Sequence, residues 1–236
     1  MSQGGYHVEK LDPATAVGPC ASHVVVYARV NENMWEVPIT CWALLILRSD
    51  GRLGLPGGKV EEGETWHGGA QRELQEEVGA RIPVSEADYV STSIPPGSTF
   101  MLHLFAVEVS KEEFLSIEAG VCRSDHYGLE IWGCVRVPLW NVPPSRPRCD
   151  GLAAFLSHHF AYNARDQLCD VLVARGVFSR AEMAAVIKEA QVERIEGCDA
   201  TDLEHLRRRY EEDDDSESSE TALRSSGENG DDRQGN

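Results

Sequence analysis

Two apolar runs stand close together near the start of the chain, SHVVVYARV (22–30) and ITCWALLIL (39–47), separated by the polar stretch NENMWEVP. Both are rich in β-branched and aromatic residues, so the pattern predicts two strands joined by a loop. SDGRLGLPGG (49–58) comes next as glycine-rich turn chemistry. From Trp66 to Val78 helix formers take over, and Gly79 marks the stop. Further strands are predicted at 98–109 and 129–139, with a short helix at 111–120 between them. Helices are predicted at 152–172 and 179–190, on either side of Gly176, and a weaker one at 199–210. No internal repeat is visible. Strands and helices mixed in this way predict one α/β domain.

Composition refines that outline at the ends. Residues 1–20 are punctuated by glycine and proline and are expected to form a flexible arm. The domain is expected to span 21–210, and 211–236 to be a disordered acidic tail, because EEDDDSESSE and the Ser/Gly/Asp-rich end offer little apolar area to bury. The tail reads as solubilising, although Ser216, Ser218 and Ser219 among acids also suit an acidophilic kinase. The net charge of −17 is concentrated there: ten acids and two arginines give −8, leaving −9 for the other 210 residues. That balance argues against a protein coating nucleic acid through a broad basic field. A metal-bridged contact with phosphate stays open, because a bound cation inverts the local electrostatics. Seven scattered cysteines without a CxxC pair read as reduced thiols in an intracellular protein. An apolar h-region and an 18-residue apolar run are both missing, so neither secretion nor a membrane span is expected.

RELQEEVG (72–79) carries the chemistry. Glu73, Glu76 and Glu77 share one helix face, where like charges cost roughly 0.2–0.5 kcal/mol per pair. Alone, the cluster reads as a solvated surface. Its surroundings change that reading: Gly58 precedes Glu64 by six residues, and Glu64 precedes Arg72 by eight. Gly58 to Ala80, GKVEEGETWHGGAQRELQEEVGA, resembles the Nudix box in all seven specified residues. Chance produces such a match in on the order of one chain in ten million. The spacing suits its chemistry. Carboxylates on adjacent helical turns can hold a hard divalent ion, which takes oxygen ligands alongside waters and substrate phosphates. Pro56-Gly57-Gly58 can bring a backbone carbonyl close, and Arg72 can pair with Glu64 or Glu76 to offset the cluster's self-repulsion. Metal ions polarise a pyrophosphate and acidify attacking water.

The resemblance implies a Nudix-type α/β/α sandwich around a mixed sheet. It makes Glu73, Glu76 and Glu77, with the carbonyl of Gly57, ligands for Mg²⁺ or Mn²⁺, and Co²⁺ as a further option. Gly58, Glu64 and Arg72 become structural support. Which carboxylate serves as general base varies within the family; Glu76 is the working choice, and Glu77 stands beside it.

Outside the box, HVVVYA (23–28), RSDGRLGLPGG (48–58), IEAGVCRSDHYGLEIWGCVRVPL (117–139) and ARDQL (164–168) resemble the Nudix hydrolases that decap small nucleolar RNA and hydrolyse inosine diphosphate. That likeness spans about 20–172. It implies that His23, Arg48 and Gln167 contact the nucleotide, that Leu55 meets the base, and that Asp170 stands where the subgroup has a glutamate for metal binding or catalysis. Each also has a plain reading: a strand-edge histidine, a solvated arginine, a polar helix face. His103, between two leucines, reads as packing. Two departures bear on substrate. Leu55 replaces a usual aromatic, and Ser93 falls near a usual histidine. The implied activity is hydrolysis of phosphoanhydride bonds in inosine-type nucleoside diphosphates, in RNA caps, or both. The alternatives are an ADP-ribose or dinucleotide pyrophosphatase and a non-catalytic RNA- or protein-binding module. A nucleotide and capped RNA are the implied partners, with homodimerisation and a nuclear or cytoplasmic location.

Overall fold

The computed structural model describes residues 7–9, 11, 18–34, 37–140, 151–192 and 208–210. In chain order the strands are β1 (His7–Glu9), β2 (Cys20–Met34), β3 (Val37–Arg48), β4 (Leu53–Gly54), β5 (Gly57–Lys59), β6 (Tyr89–Ile94), β7 (Met101–Glu108) and β8 (Ile131–Val137). The helices are α1 (Trp66–Val78), α2 (Lys111–Gly120), α3 (Gly151–Leu156), α4 (Ala164–Ala174) and α5 (Arg180–Val192). The tail beyond 210 and most of the predicted 199–210 helix lie outside the described residues.

β2 is the spine of a mixed sheet. It runs parallel to β7 and antiparallel to β3, and the main path is β1-β6-β7-β2-β3-β4. Its apolar run is continuous because both faces are covered. Val24, Val26 and Ala28 pack with Leu74 and Val78 of α1 and Phe114 of α2, whereas Val25 and Tyr27 pack with residues of α3, α4 and α5. The result is the expected α/β/α sandwich.

The sheet forks where the site will lie. β2 and β3 pair up to Val26↔Leu44 and then part: β2 takes β5 as its partner and β3 takes β4, while β8 runs along the other edge of β3. The connection between β4 and β5 crosses the gap, and the Val24 amide donates to the Pro56 carbonyl at 2.9 Å.

Three expectations need correction. The polar NENM is strand, not loop: after a shift past Arg29, pairing resumes at Glu32↔Ile39 and continues to Met34↔Val37. A projecting two-stranded arm needs no buried face, so its polar composition concealed it. The predicted 152–172 helix is two helices. Between them the chain leaves helical geometry to serve the edge of β4, where Leu53 N–H donates to His159 O (2.9 Å) and Ala161 N–H donates to Leu53 O (2.8 Å). Edge groups without a partner would otherwise be left unsatisfied. β6 was missed, because YVSTSI buries Ser91, Thr92 and Ser93 where apolar residues are expected. At the N-terminus, β1 pairs with β6 along His7↔Ile94 to Glu9↔Thr92.

α1 begins and ends on local signals. Thr65 accepts from the Gly68 amide (3.1 Å), capping the first turn. Gly79 takes φ +70°, and the amides of Gly79 and Ala80 donate to Gln75 and Leu74 carbonyls at 3.0 and 3.1 Å. An L side chain at this left-handed position costs about 1 kcal/mol. Gly79→Ala is therefore expected to lower the melting temperature by about 2–4 °C in a domain of this size. Unchanged melting in calorimetry would show that the helix end does not depend on this conformation.

Candidate active site

α1 lies under the fork with two carboxylates turned inward. Glu73 and Glu77 are buried, at 8% and 2% exposure, one turn apart, and Glu76 sits between them at the rim. Buried carboxylates need partners. Arg72 supplies most of them. Its Nη1 donates to Glu73 Oε1 (2.9 Å) and Glu76 Oε2 (2.8 Å), its Nε to Glu64 Oε1 (2.9 Å), and its Nη2 to the Lys59 carbonyl (2.9 Å). Glu64, held below the usual carboxylate range by that guanidinium, also accepts from the Glu61 amide at 3.0 Å. Glu64 thus fixes Arg72 from outside, and Arg72 fixes the cluster.

The glycines of the β4–β5 connection face this helix at close range. A Cβ on Gly58 would lie 2.4 Å from Glu73 Oε1, and one on Gly57 would lie 2.2 Å from the Ser22 carbonyl. The Gly57 amide donates to Glu77 Oε2 at 2.8 Å. Burial pushes the Glu77 carboxyl up to about 8; the Gly57 N–H opposes this, and Glu73 and Glu130 add to it. Burial raises Glu73 as well.

Sequence reasoning missed the opposite wall. The amide of His126 donates to the Glu76 carbonyl (3.0 Å) and the Ser124 hydroxyl to the Glu77 carbonyl (2.8 Å), satisfying groups left open at the end of α1. A tight turn then returns the chain through Glu130 and Ile131, whose amides donate to the His126 carbonyl at 3.1 and 3.2 Å. Glu77, His126 and Glu130 consequently offer ligand atoms that all lie within 4.8 Å of one another. The signal was present as His and Glu four apart within DHYGLE, a segment read only for its likeness.

These walls enclose one cavity of about 770 Å³. His23, Arg48, Leu55 and Gln167 line it, together with Gly57, Gly58, Arg72 and the three glutamates of α1. His23 is held neutral: burial, then Arg48, push it down to about 4. Arg48 also meets Asp50 at 3.3 Å. His103 is outside the lining; it stacks on Trp66 with centroids 3.6 Å apart, and its Nδ1 lies 2.8 Å from Thr92 Oγ1. Ser93 is engaged by Asn163, whose Nδ2 donates to its hydroxyl at 2.6 Å.

Comparison with known proteins supplies the family. Residues 20–178 match the Nudt16-like family model, U8 snoRNA-decapping enzyme-like. The U8 snoRNA-decapping enzyme of Xenopus laevis is 34% identical over 174 residues, which cover 71% of this chain and 81% of that protein. The mouse enzyme of the same name is 34% identical over 176 residues, 71% and 89%. The chain belongs to the Nudix hydrolases. Within the same range of similarity, the mouse Tudor-interacting repair regulator protein is 30% identical over 186 residues, covering 76% of this chain and 86% of its own.

The Nudix assignment sharpens the position of Asp170, which stands apart from the other expected residues. It does not line the cavity. Its carboxylate accepts from the Tyr210 hydroxyl at 2.9 Å and is paired with Arg209, so it anchors the 208–210 segment against α4. The expectation that it serves metal binding or catalysis is not met by this placement; the physical reason is that a buried carboxylate already has a cation and a donor. Asp170→Asn is expected to cost about 1–3 kcal/mol of stability through Arg209, with kcat unchanged. A collapse of kcat at unchanged melting would return Asp170 to the catalytic set.

The donor set of this Nudix site fits a hard divalent cation. Gly58 has no side chain where Glu73 needs room, and Glu77 is bonded to no cationic side chain among the described residues. A metal-free protein must protonate Glu77 or hold its charge at cost. Its folded carboxyl titrates near 8, and an unfolded one titrates near about 4.3. Between those values the folded state holds the extra proton, so stability is full below the window and falls as pH rises through it. EDTA-treated protein is expected to melt progressively lower from about pH 5 to about pH 8 and to level off above that. Glu77→Gln should flatten that slope, and saturating Mg²⁺ should restore the wild type at the alkaline end. Equal slopes in wild type and variant would assign the titration to another group.

Proposed function

We propose that this Nudix hydrolase uses Mg²⁺ or Mn²⁺, with Co²⁺ as a substitute, to cleave phosphoanhydride bonds in inosine-type nucleoside diphosphates, in nucleotide caps on RNA, or in both. The observation that carries this reading is the buried Glu77. Among the described residues it forms no ion pair with a Lys or Arg side chain, and its ligand atoms lie beside those of His126 and Glu130 in a cavity lined also by Arg48 and His23.

In this reading Glu73, Glu76, Glu77 and the Gly57 carbonyl hold the cation, with His126 and Glu130 completing its donors. A bound divalent ion supplies Lewis-acid polarisation of the phosphoanhydride and acidifies water. Glu76, at the rim and partly free of Arg72, is the general base, with Glu77 as the alternative. Arg48 pairs with phosphate oxygens. Neutral His23 and Gln167 contact the nucleotide, and Leu55 packs against it. Gly58, Glu64 and Arg72 keep the carboxylates in register. Nuclear or cytoplasmic location and homodimerisation belong to the same reading. Among the described residues no helix is long and apolar enough to cross a membrane.

The similarity to a Tudor-interacting protein motivates a second reading, a protein-binding module without turnover. The retained Arg72 and its three glutamates favour the enzyme. The deciding experiment compares inosine diphosphate, adenosine diphosphate, ADP-ribose, guanosine-capped RNA and NAD-capped RNA by kcat/KM. Turnover is expected only with a divalent metal. Glu77→Gln should lose more than about 100-fold, beyond the cost of removing an outer partner of a metal ligand, and His126→Ala should weaken Mn²⁺ by about 10–100-fold. Wild type and Glu77→Gln both leaving all five substrates intact with Mg²⁺, Mn²⁺ and Co²⁺ would sink the enzyme reading.

A further inference from the structure

The cavity lining is of two chemical kinds. One is the carboxylate set; the other is apolar and aromatic, supplied by Leu55, Pro95, Phe100, Leu102 and Tyr162. Leu55 and Leu102 also belong to the protein's interior, at 4% and 7% exposure. Tyr162 does not: it is 78% exposed. Among the described residues its ring stacks on no other ring, and its hydroxyl bonds to no protein group.

The backbone explains why this side chain stands where it does. On one side, the Ala161 amide is fastened to the Leu53 carbonyl of β4 at 2.8 Å. On the other, the Asn163 side chain is fastened to Ser93 of β6 at 2.6 Å. The chain must therefore bridge from the β4 edge to β6 through a single intervening residue. Tyr162 makes that bridge at φ +50°, and it is the only non-glycine residue with positive φ among those described. Glycine would satisfy the same clamp without steric opposition, whereas a bulky L residue is disfavoured there. A large aromatic side chain in a disfavoured conformation, making no ring contact within the described protein, contributes little to holding this fold together. What it does have is an exposed ring in the cavity lining.

We propose that Tyr162 is the stacking surface for the substrate's nucleobase. This rests on the nucleotide reading above and names the residue that carries the base while the carboxylate side of the lining takes the phosphates. A six-membered aromatic face suits any planar heterocycle, and stacking on an exposed ring is tolerant of base identity. Tyr162 therefore contributes affinity for a nucleobase as such. Tight clamping of positions 161 and 163 limits how far the ring can move, so the surface is already in place before the ligand arrives.

Calorimetric binding of inosine 5′-monophosphate and of ribose 5-phosphate, both with Mg²⁺, separates base stacking from phosphate capture without needing turnover. Tyr162→Gly and Tyr162→Asn suit the left-handed backbone and keep the fold. Both are expected to weaken inosine monophosphate by about tenfold and to leave ribose 5-phosphate unchanged. Tyr162→Phe is expected to bind as wild type does. In turnover the loss should fall on KM. Wild-type affinity for inosine monophosphate in Tyr162→Gly overturns the proposal, as does equal weakening of both ligands. So does a loss confined to Phe100→Leu, which would move the base to the other ring. A wild type that binds inosine monophosphate and hydrolyses nothing sinks the hydrolase reading while leaving the stacking result to stand; a wild type that binds neither ligand overturns both.

Discussion

Where β2 and β3 separate beyond Val26 and Leu44, each strand is left with backbone groups that the interior cannot leave bare. The chain answers with one short excursion. β4 completes β3, β5 completes β2, and the Pro56 carbonyl between them receives the Val24 amide. Everything chemical in the molecule depends on that repair. It brings Gly57 and Gly58 over α1, where a side chain on either would collide with β2 or with Glu73. It also aims the Gly57 amide at Glu77. The fork is thus both a structural problem and the reason a cavity exists beside a buried carboxylate.

The charge balance inside that cavity is uneven. Arg72 binds Glu64, Glu73 and Glu76, so those carboxylates are mutually tolerable in the free protein. Glu77 receives a backbone hydrogen bond and the more distant charge of Arg48, and Glu73 and Glu130 both work against its ionisation. An acid left in that state is stabilised by protonation or by a cation, and the two compete for one position. The neighbouring His23, kept neutral by burial and Arg48, does not supply a positive charge. The helix therefore presents two kinds of carboxylate: one set already neutralised, and one still lacking a counter-charge.

Much of this was legible in the chain, and the limits are physical. The box could be read because its spacing is local: helix periodicity places Glu73, Glu76 and Glu77 on one face, and Arg72 lies within a turn of two of them. Central strands were legible because β2 and β3 are apolar on both faces. What escaped lay where tertiary needs overrode local pattern. The polar hairpin arm is stabilised by cross-strand pairing rather than by burial. β6 hides three polar residues in the sheet, one of them serving Asn163 and another serving His103. The long helix was interrupted because β4 needed partners. His126 and Glu130 were missed because their value depends on contact with the end of α1, about fifty residues away. Asp170 shows the converse: it lies on a helix as expected, but Arg209 and Tyr210, distant in sequence, engage its carboxylate away from the cavity lining.

The turn that holds His126 does two jobs at once, closing the carbonyl end of α1 and walling the cavity beside Glu77. This has a kinetic meaning. The Gly57–Glu77 part of the site is local in sequence and can assemble as soon as α1 docks under its loop. The His126–Glu130 part must wait for β8 to find β3, from Ala43↔Val137 to Arg48↔Ile131, closing a loop of more than eighty residues. Long-range pairing of that kind is the slow part of folding. On the metal-bound reading proposed above, full affinity for a cation is consequently a late property of the chain, acquired only when β3 and β8 have met. A partly folded molecule would display the glutamates of α1 without the His126–Glu130 wall beside them.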